Sequence, residues 1–242
     1  MKAALLVLAG ALPVALVAAA PAAPKPEPEQ GRFVVLEPVR GDVEVRPAGS
    51  TRYRDLEARS RFPVGVTVDA QEGAVRLIVS RGDGKGVSRA VFSEGKFTVA
   101  QDRGDDPLAT LRLTGPSYAE VCDGATASAK RRKRVRRLWG DGKGSFRTSG
   151  RYSAATVRGT KWLTEDRCDG TITRVVRGEV RVDDFGAIPT PTPEPTEPPV
   201  PPPSGAPVGG GEGGGEPAVR PVTDGSGDDV IVSAGGRYVA RP

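Results

Sequence analysis

The chain has 242 residues, with 35 Lys and Arg against 30 Asp and Glu, two cysteines and no histidine. The lack of histidine excludes Ser–His and Cys–His nucleophile pairs, and two thiols alone fall short of the four-ligand sets that zinc takes, so no metal site and no cofactor are expected. Glycine is abundant at 32 residues and aromatics make up only 5%, a balance that favours short strands and turns over helices.

Residues 1–22 read as a secretory signal peptide. Lys2 precedes an apolar run from Ala3 to Ala20, and small-residue cleavage patterns fall at 17–19 and 20–22. The alternative is an uncleaved anchor, marginal in length and only weakly apolar. Ala11 stands where a lipoprotein cysteine would, and no later stretch approaches transmembrane length. Export predicts a secreted or extracytoplasmic location in the cell envelope. In an oxidising compartment Cys122 and Cys168, the one available pair, are expected to form a disulfide. On the chain-entropy account that bond is worth roughly 3–4 kcal/mol; two free buried thiols are the alternative.

Residues 23–32 are a Pro-rich, extended spacer. A β-domain is predicted over 33–184. Its strands begin at 33–36 and continue at 41–45, with Val43 and Val45 inward, then at 66–68 and 73–79. Residues 81–86 (RGDGKG) form a hairpin-type turn. Strands follow at 88–92, at 95–101 with Phe97 and Val99 inward, and at 108–114 with Leu111 and Leu113 on one face. Residues 116–137 interrupt the pattern as a basic insertion, with a short helical or irregular turn at 118–122. A hairpin through Ser149 and Gly150 leads into 151–184, read as three short strands punctuated by Gly159, Gly170 and Gly178. Residues 185–228 are Pro/Thr/Glu-rich and then Gly-rich, unable to build a core, and are read as a disordered linker. Residues 229–242 read as a β-hairpin about Gly235 and Gly236. Such a hairpin is marginal alone, so it is expected to return to the β-domain.

One unit recurs: glycine, any residue, then apolar-polar-apolar, at 41–45, 73–77, 95–99 and 178–182, with a weaker copy at 144–148. Its spacing is irregular, unlike a strict solenoid. Further marks are Leu56 before PVG at 63–65, F-x-x-G-x-F-x-V-x-Q at 92–101, V-x-G-T-x-W at 157–162, T-x-T-x-V at 171–175 and V-x-A-G at 232–235. Together these residues resemble the FecR-like domain of bacterial envelope proteins. The closest likeness is to secreted forms of actinobacterial type, which share the W-G-x-G-x-G element at 139–144 and the cysteine pair. The resemblance implies an all-β domain of stacked short strands, as a β-roll, a solenoid-like stack or a sandwich. In the founding members that domain follows a membrane helix and a cytoplasmic sigma-factor-binding region. Here only Met1 and Lys2 precede the apolar run, so the sigma-regulating role is not carried over.

The sharpest local feature is Lys130, Arg131, Arg132, Lys133, Arg134, Arg136 and Arg137, seven cations in eight residues. Such a run attracts polyanions in a salt-dependent way. Outside the cell these are anionic cell-wall polymers, acidic lipids or, least favoured, nucleic acid; the plain alternative is a solvated loop. Trp139 and Trp162 have the chemistry to stack on a sugar ring, but isolated tryptophans in β-domains are more often core, and Trp162 is expected to pack on the strands of Phe146 and Tyr152. Arg-Gly-Asp triplets at 40–42, 81–83 and 103–105 are ordinary turn chemistry in an Arg-rich chain. Carboxylate pairs occur at Glu165 with Asp166, Asp105 with Asp106, and Asp183 with Asp184, each at a turn or strand end. The leading expectation is a secreted, non-catalytic FecR-like module that binds or scaffolds in the envelope and contacts anionic wall polymer through its basic loop. The alternatives are a signal-sensing module that engages another envelope protein without a sigma-factor-binding domain, and a carboxylate-dependent hydrolase.

Overall fold

The computed structural model describes residues 25–82, 84–105, 107–124, 126–130, 133–185, 220–221 and 229–241. The segment read from sequence as a signal peptide, most of the Pro/Gly-rich linker, Arg131 and Arg132 lie outside the described residues. In chain order the elements are β1 (Phe33–Gly41), β2 (Glu44–Arg46), β3 (Arg54–Asp55), β4 (Ser60–Pro63), β5 (Thr67–Ser80), β6 (Val87–Gln101), β7 (Ala109–Thr114), α1 (Tyr118–Cys122), α2 (Ala127–Lys130), β8 (Arg134–Lys143), β9 (Phe146–Ser149), β10 (Ser153–Val157), β11 (Thr160–Arg167), β12 (Gly170–Arg177), β13 (Glu179–Asp184), β14 (Arg220–Pro221), β15 (Asp229–Ser233) and β16 (Arg237–Ala240). The fold is all-β, a single large sheet nearly closed into a barrel.

The β5–β6 hairpin sets the architecture. Residues 88–92 and 95–101, read from sequence as two strands, are one strand of 15 residues. It bends at Glu94, which takes φ +59, opposite a register shift in β5 between Ala70 and Ala74. On one side of the bend β6 pairs with β8 through Arg89–Ser93; on the other it pairs with β7 through Lys96–Gln101. The hairpin therefore belongs to two layers. One layer runs β4-β1-β5-β6-β8-β11-β12-β16 and the other β3-β2-β5-β6-β7-β9-β10-β13-β15. At the bend the backbone of β8 comes so close that a Cβ on Gly95 would lie 1.9 Å from the Arg137 carbonyl oxygen, so glycine is required there.

Alternation in the strands fills the space between the layers. From one layer come Val34, Leu36, Val75, Leu77, Phe92, Leu138 and Trp162; from the other come Val45, Val68, Phe97, Leu111, Phe146, Val157 and Val180. Phe92 is at the centre, with ring centroids 5.5 Å from Phe97, 5.6 Å from Phe146 and 5.9 Å from Trp162.

Residues 151–184 hold four strands rather than three, β10 to β13. The short apolar marks around Val157 conceal an extra turn at Arg158 and Gly159, from which β10 and β11 part into different layers. The spacer is anchored at its end. Glu29 exchanges backbone hydrogen bonds with Phe33 at 2.8 and 2.9 Å, and the Glu29 carboxylate bonds Arg32 and Arg61. At the far end of the linker Arg220 and Pro221 pair with Ile231 and Val230, an edge position that tolerates proline.

Residues 229–240 do not form a hairpin: among the described residues no ladder joins β15 to β16. The chain turns at Gly235 and Gly236, β15 pairs with β13, and β16 pairs with β12. The turn itself bonds to Val175 of β12, at 2.9 Å from the Gly235 amide and 3.1 Å to the Gly236 carbonyl. This segment thus links the two layers at the side remote from the β5–β6 bend.

The β13–β15 ladder carries a pH-sensitive contact. Asp183 lies directly opposite Asp229, while Arg147 pairs with Asp183 at 2.5 Å and Arg181 with Asp229 at 3.3 Å. Partial burial and the facing Asp229 carboxyl push the Asp183 pKa up to about 6, against the pull of Arg147 and Arg181. Between about pH 4, where an unfolded Asp titrates, and about 6 the folded chain holds a proton that the unfolded chain releases. Stability contributed by this contact is therefore full at the acid end and falls as pH rises through the window. Asp229→Asn is expected to flatten that decline in urea midpoints measured from pH 4 to pH 7 and to raise the midpoint at pH 7. An unchanged slope would count against the assignment.

Candidate functional site

The basic run does not lie in one loop. Residue 134 begins β8, so the insertion ends at Lys133 and the last arginines belong to the sheet. Apolar Val135 and Leu138, both buried, draw this part of the run into the fold. Antiparallel pairing then sets Arg137 opposite Glu165, Arg136 opposite Asp166 and Arg134 opposite Arg167, with a register shift that leaves Val135 between them.

The two halves of the run differ in what their charges do. The Arg136 Nε lies 3.4 Å from Asp166 Oδ2, and its Nη1 donates to the Leu113 carbonyl at 3.1 Å. Arg137 forms an ion pair with Glu94 at the β6 bend. Lys133 Nζ donates to the Val121 carbonyl at 3.1 Å and remains exposed. Arg134 is exposed and makes no ion pair among the described residues. Lys130 ends α2.

Asp166 is the hub on the inner side of this region. It is fully buried, accepts from the Arg151 amide at 3.0 Å and from the Thr171 hydroxyl at 2.6 Å, and faces Arg136 as an ion pair without hydrogen-bond geometry. Tyr118 of α1 covers it. The Arg136 and Arg151 guanidinium carbons stand 5.2 and 4.2 Å from the centre of the Tyr118 ring, a double cation–π contact. Burial, followed by the negative charge of Asp166, holds the Tyr118 hydroxyl well above the usual phenol range, so it stays protonated. Helix α1 is fixed at both ends. Ser117 and Glu120 form a capping box, with the Ser117 amide donating to the Glu120 carboxylate at 2.6 Å, which holds that carboxyl below its usual range. Cys122 is bonded to Cys168, across a sequence separation of 46 residues. The disulfide therefore clamps the start of the insertion to the end of β11.

The two tryptophans have opposite fates. Trp162 is fully buried, its indole N–H donates to Thr148 Oγ1 at 3.0 Å, and its ring lies over Gly140, where a Cβ would stand 2.5 Å from it. Its ring partner is Phe92, and the β9 strand of Phe146 supplies the hydrogen bond. Trp139 occupies the outer face of β8 and is half-buried in a shallow depression.

No family model, curated protein or solved structure matches the chain. Its chemistry therefore has to be read from its own residues. Two of the acidic pairs singled out in the sequence are already engaged: Glu165 with Arg167 at 2.5 Å, Asp166 as above, Asp183 with Arg147, and Asp184 accepting from the Tyr238 hydroxyl at 2.6 Å. Asp106 lies outside the described residues, as does Asp83 of the second Arg-Gly-Asp triplet. Among the described residues no helix is long and apolar enough to cross a membrane. Sequence reasoning missed the Asp166–Arg136 pair, because Asp166 sits in a polar run that looks exposed. It also missed Arg40 and Lys161, isolated cations that the register brings towards Trp139 from β1 and β11.

Proposed function

We propose that the chain is an exported, non-catalytic FecR-like module of the cell envelope, which contacts anionic wall polymer through the exposed half of its basic run. The observation that carries this reading is the partition of the run. Arg136 and Arg137 already face Asp166 and Glu94, whereas Lys133 and Arg134 are exposed. They adjoin Lys130, Arg131 and Arg132 in sequence, so the surplus charge is concentrated in residues 130–134. The disulfide holds the start of the insertion to the end of β11, the Cys168 amide donates to the Lys133 carbonyl at 3.2 Å, and the bond fits an oxidising compartment, in keeping with the export signal read at the start of the chain. The FecR-like assignment rests on the glycine-punctuated alternation of the strands and on the W-G-x-G-x-G element, in which Gly140 makes room for Trp162.

The test is retention of the mature protein on purified wall material over a salt gradient. Wild type is expected to bind at low salt and to elute as salt rises. Replacing Arg131, Arg132, Lys133 and Arg134 by Gln, with Arg136 and Arg137 left in place to protect the fold, is expected to reduce low-salt retention by about tenfold or more. Equal retention of the variant would overturn the reading.

A further inference from the structure

We propose that the outer face around Trp139 is a binding site for an acidic glycan, with a sugar ring stacked on the indole and acidic groups met by Lys161 on one side and Arg40 on the other. The site deepens the reading of an anion-binding envelope module, but uses residues outside the basic run.

The geometry begins with the register. Trp139 is paired with Ser93 of β6 and Leu163 of β11, while its neighbour Leu138 points into the core. An open depression of about 580 Å³ adjoins it, lined by Arg40, Val91, Ser93, Lys161 and Val176 among others. In the same cross-strand row Arg40 pairs with Ala74, Ala74 with Ser93, and Ser93 with Trp139. Two small side chains thus separate the guanidinium strand from the indole strand across three strand spacings, about 14 Å. Lys161 approaches from the other side, opposite Asp141.

The charges select the ligand. Two carboxylates border the depression, and both are taken: Glu94 by Arg137 and Asp141 by Arg177, the latter at 2.7 Å. Arg40 and Lys161 are exposed and have no carboxylate partner among the described residues. A ligand therefore meets two uncompensated cations, one on each side of an aromatic face, and a carboxylate or phosphate would complete either. Val176, 49% exposed, adds an apolar contact of the kind that the C–H face of a pyranose needs.

The same features argue against other occupants. The depression crosses the face of the sheet, where β6, β8 and β11 are ladder-paired to one another. No strand edge opens beside Trp139; the outer side of β1 beyond Leu36 is three strands away, so a peptide added there would not reach the indole. The apolar surface is interrupted by Arg40, Lys161 and Asp141, which does not suit burial of a lipid chain. What remains is recognition through one rigid ring and two charges.

The full mature chain is titrated with tetragalacturonate, glucose 6-phosphate and maltotetraose at constant ionic strength, and tryptophan emission is followed. Trp162 is sealed in the core, so a ligand-dependent change reports Trp139. Either acidic sugar is expected to change the emission and to bind at least about tenfold more tightly than maltotetraose. The two acidic arms show whether a carboxylate or a phosphate is preferred. Arg40→Gln with Lys161→Gln is expected to weaken the acidic ligand by about tenfold or more, Trp139→Leu to abolish binding measured calorimetrically, and Trp139→Phe to retain it. Substituting Arg131, Arg132, Lys133 and Arg134 by Gln is expected to leave this titration unchanged, which separates it from the wall-retention reading. Absence of binding by both acidic sugars would overturn the proposal, as would wild-type affinity in Trp139→Leu or in the Arg40/Lys161 variant.

Discussion

Trp162→Ala is expected to lower the stability of the fold by about 4 kcal/mol, within the range for truncating a fully buried aromatic. Trp162 belongs to β11 of one layer, donates to Thr148 on β9 of the other, and stands edge-on to Phe92 near the middle of the core. The backbone of β8 cannot collapse into the vacated space freely, because it is pinned by ladders to β6 and β11 on both sides. Most of the cavity would therefore persist, and the cost rises with the volume that remains. The Thr148 hydroxyl keeps one partner, since it also bonds Thr164 at 2.6 Å, so the loss is chiefly one of packing. With a urea dependence of about 2 kcal/mol per molar, the midpoint should fall by about 2 M. Trp162→Phe keeps an aromatic ring but loses the indole donor, and should cost about half as much. Trp139→Ala on the outer face is the control and should cost less than about 1 kcal/mol. Equal effects of the two alanine variants would refute the division of the tryptophans into core and surface.

That division was open in the sequence, and the reason is physical. Both tryptophans follow strand-like alternation, and alternation gives a period but not the identity of the face opposite. Strands whose two faces differ clearly were legible: Leu111 and Leu113 of β7, and Val180 and Val182 of β13, are buried as their pattern requires. The bend in β6 was not legible, because Glu94 and Gly95 look like a turn that ends a strand. The strand continues through them because β5 pairs with it on both sides of the bend, and the close Arg137 carbonyl is what demands glycine there. The basic run misled for a related reason. Charge density along a sequence suggests solvent, whereas Arg136 and Arg137 find carboxylates brought by β11 and by the β6 bend, 30 and 43 positions away in the chain. The C-terminal residues carried a correct period but the wrong partner, since a Gly-Gly corner serves equally well to fold two strands together or to send them into separate layers.

The Asp166–Arg136 pair gives the other large expected effect. Asp166→Ala should destabilise the protein by about 3–5 kcal/mol, the cost of leaving a buried ionic partner unopposed. The side chain of Arg136 is 20% exposed and lies under Tyr118, so removal of the carboxylate leaves a cation with little access to water. The Arg151 amide and the Thr171 hydroxyl lose their acceptor at the same time. Asp166→Asn retains an acceptor for those two donors and should cost less than alanine, which separates the hydrogen-bonding part of the effect from the charge. Arg136→Met combined with Asp166→Leu removes both charges together and should recover at least about 2 kcal/mol of the alanine loss, because the penalty lies in the unpaired charge more than in the absent bridge. Urea denaturation of the four proteins closes the comparison. If Asp166→Ala costs less than about 1 kcal/mol, Arg136 is not held by this carboxylate, and its charge returns to the surface pool with Arg134. If the double variant recovers stability as expected, the far end of the basic run is part of the scaffold, and only residues 130–134 remain to act on a polyanion.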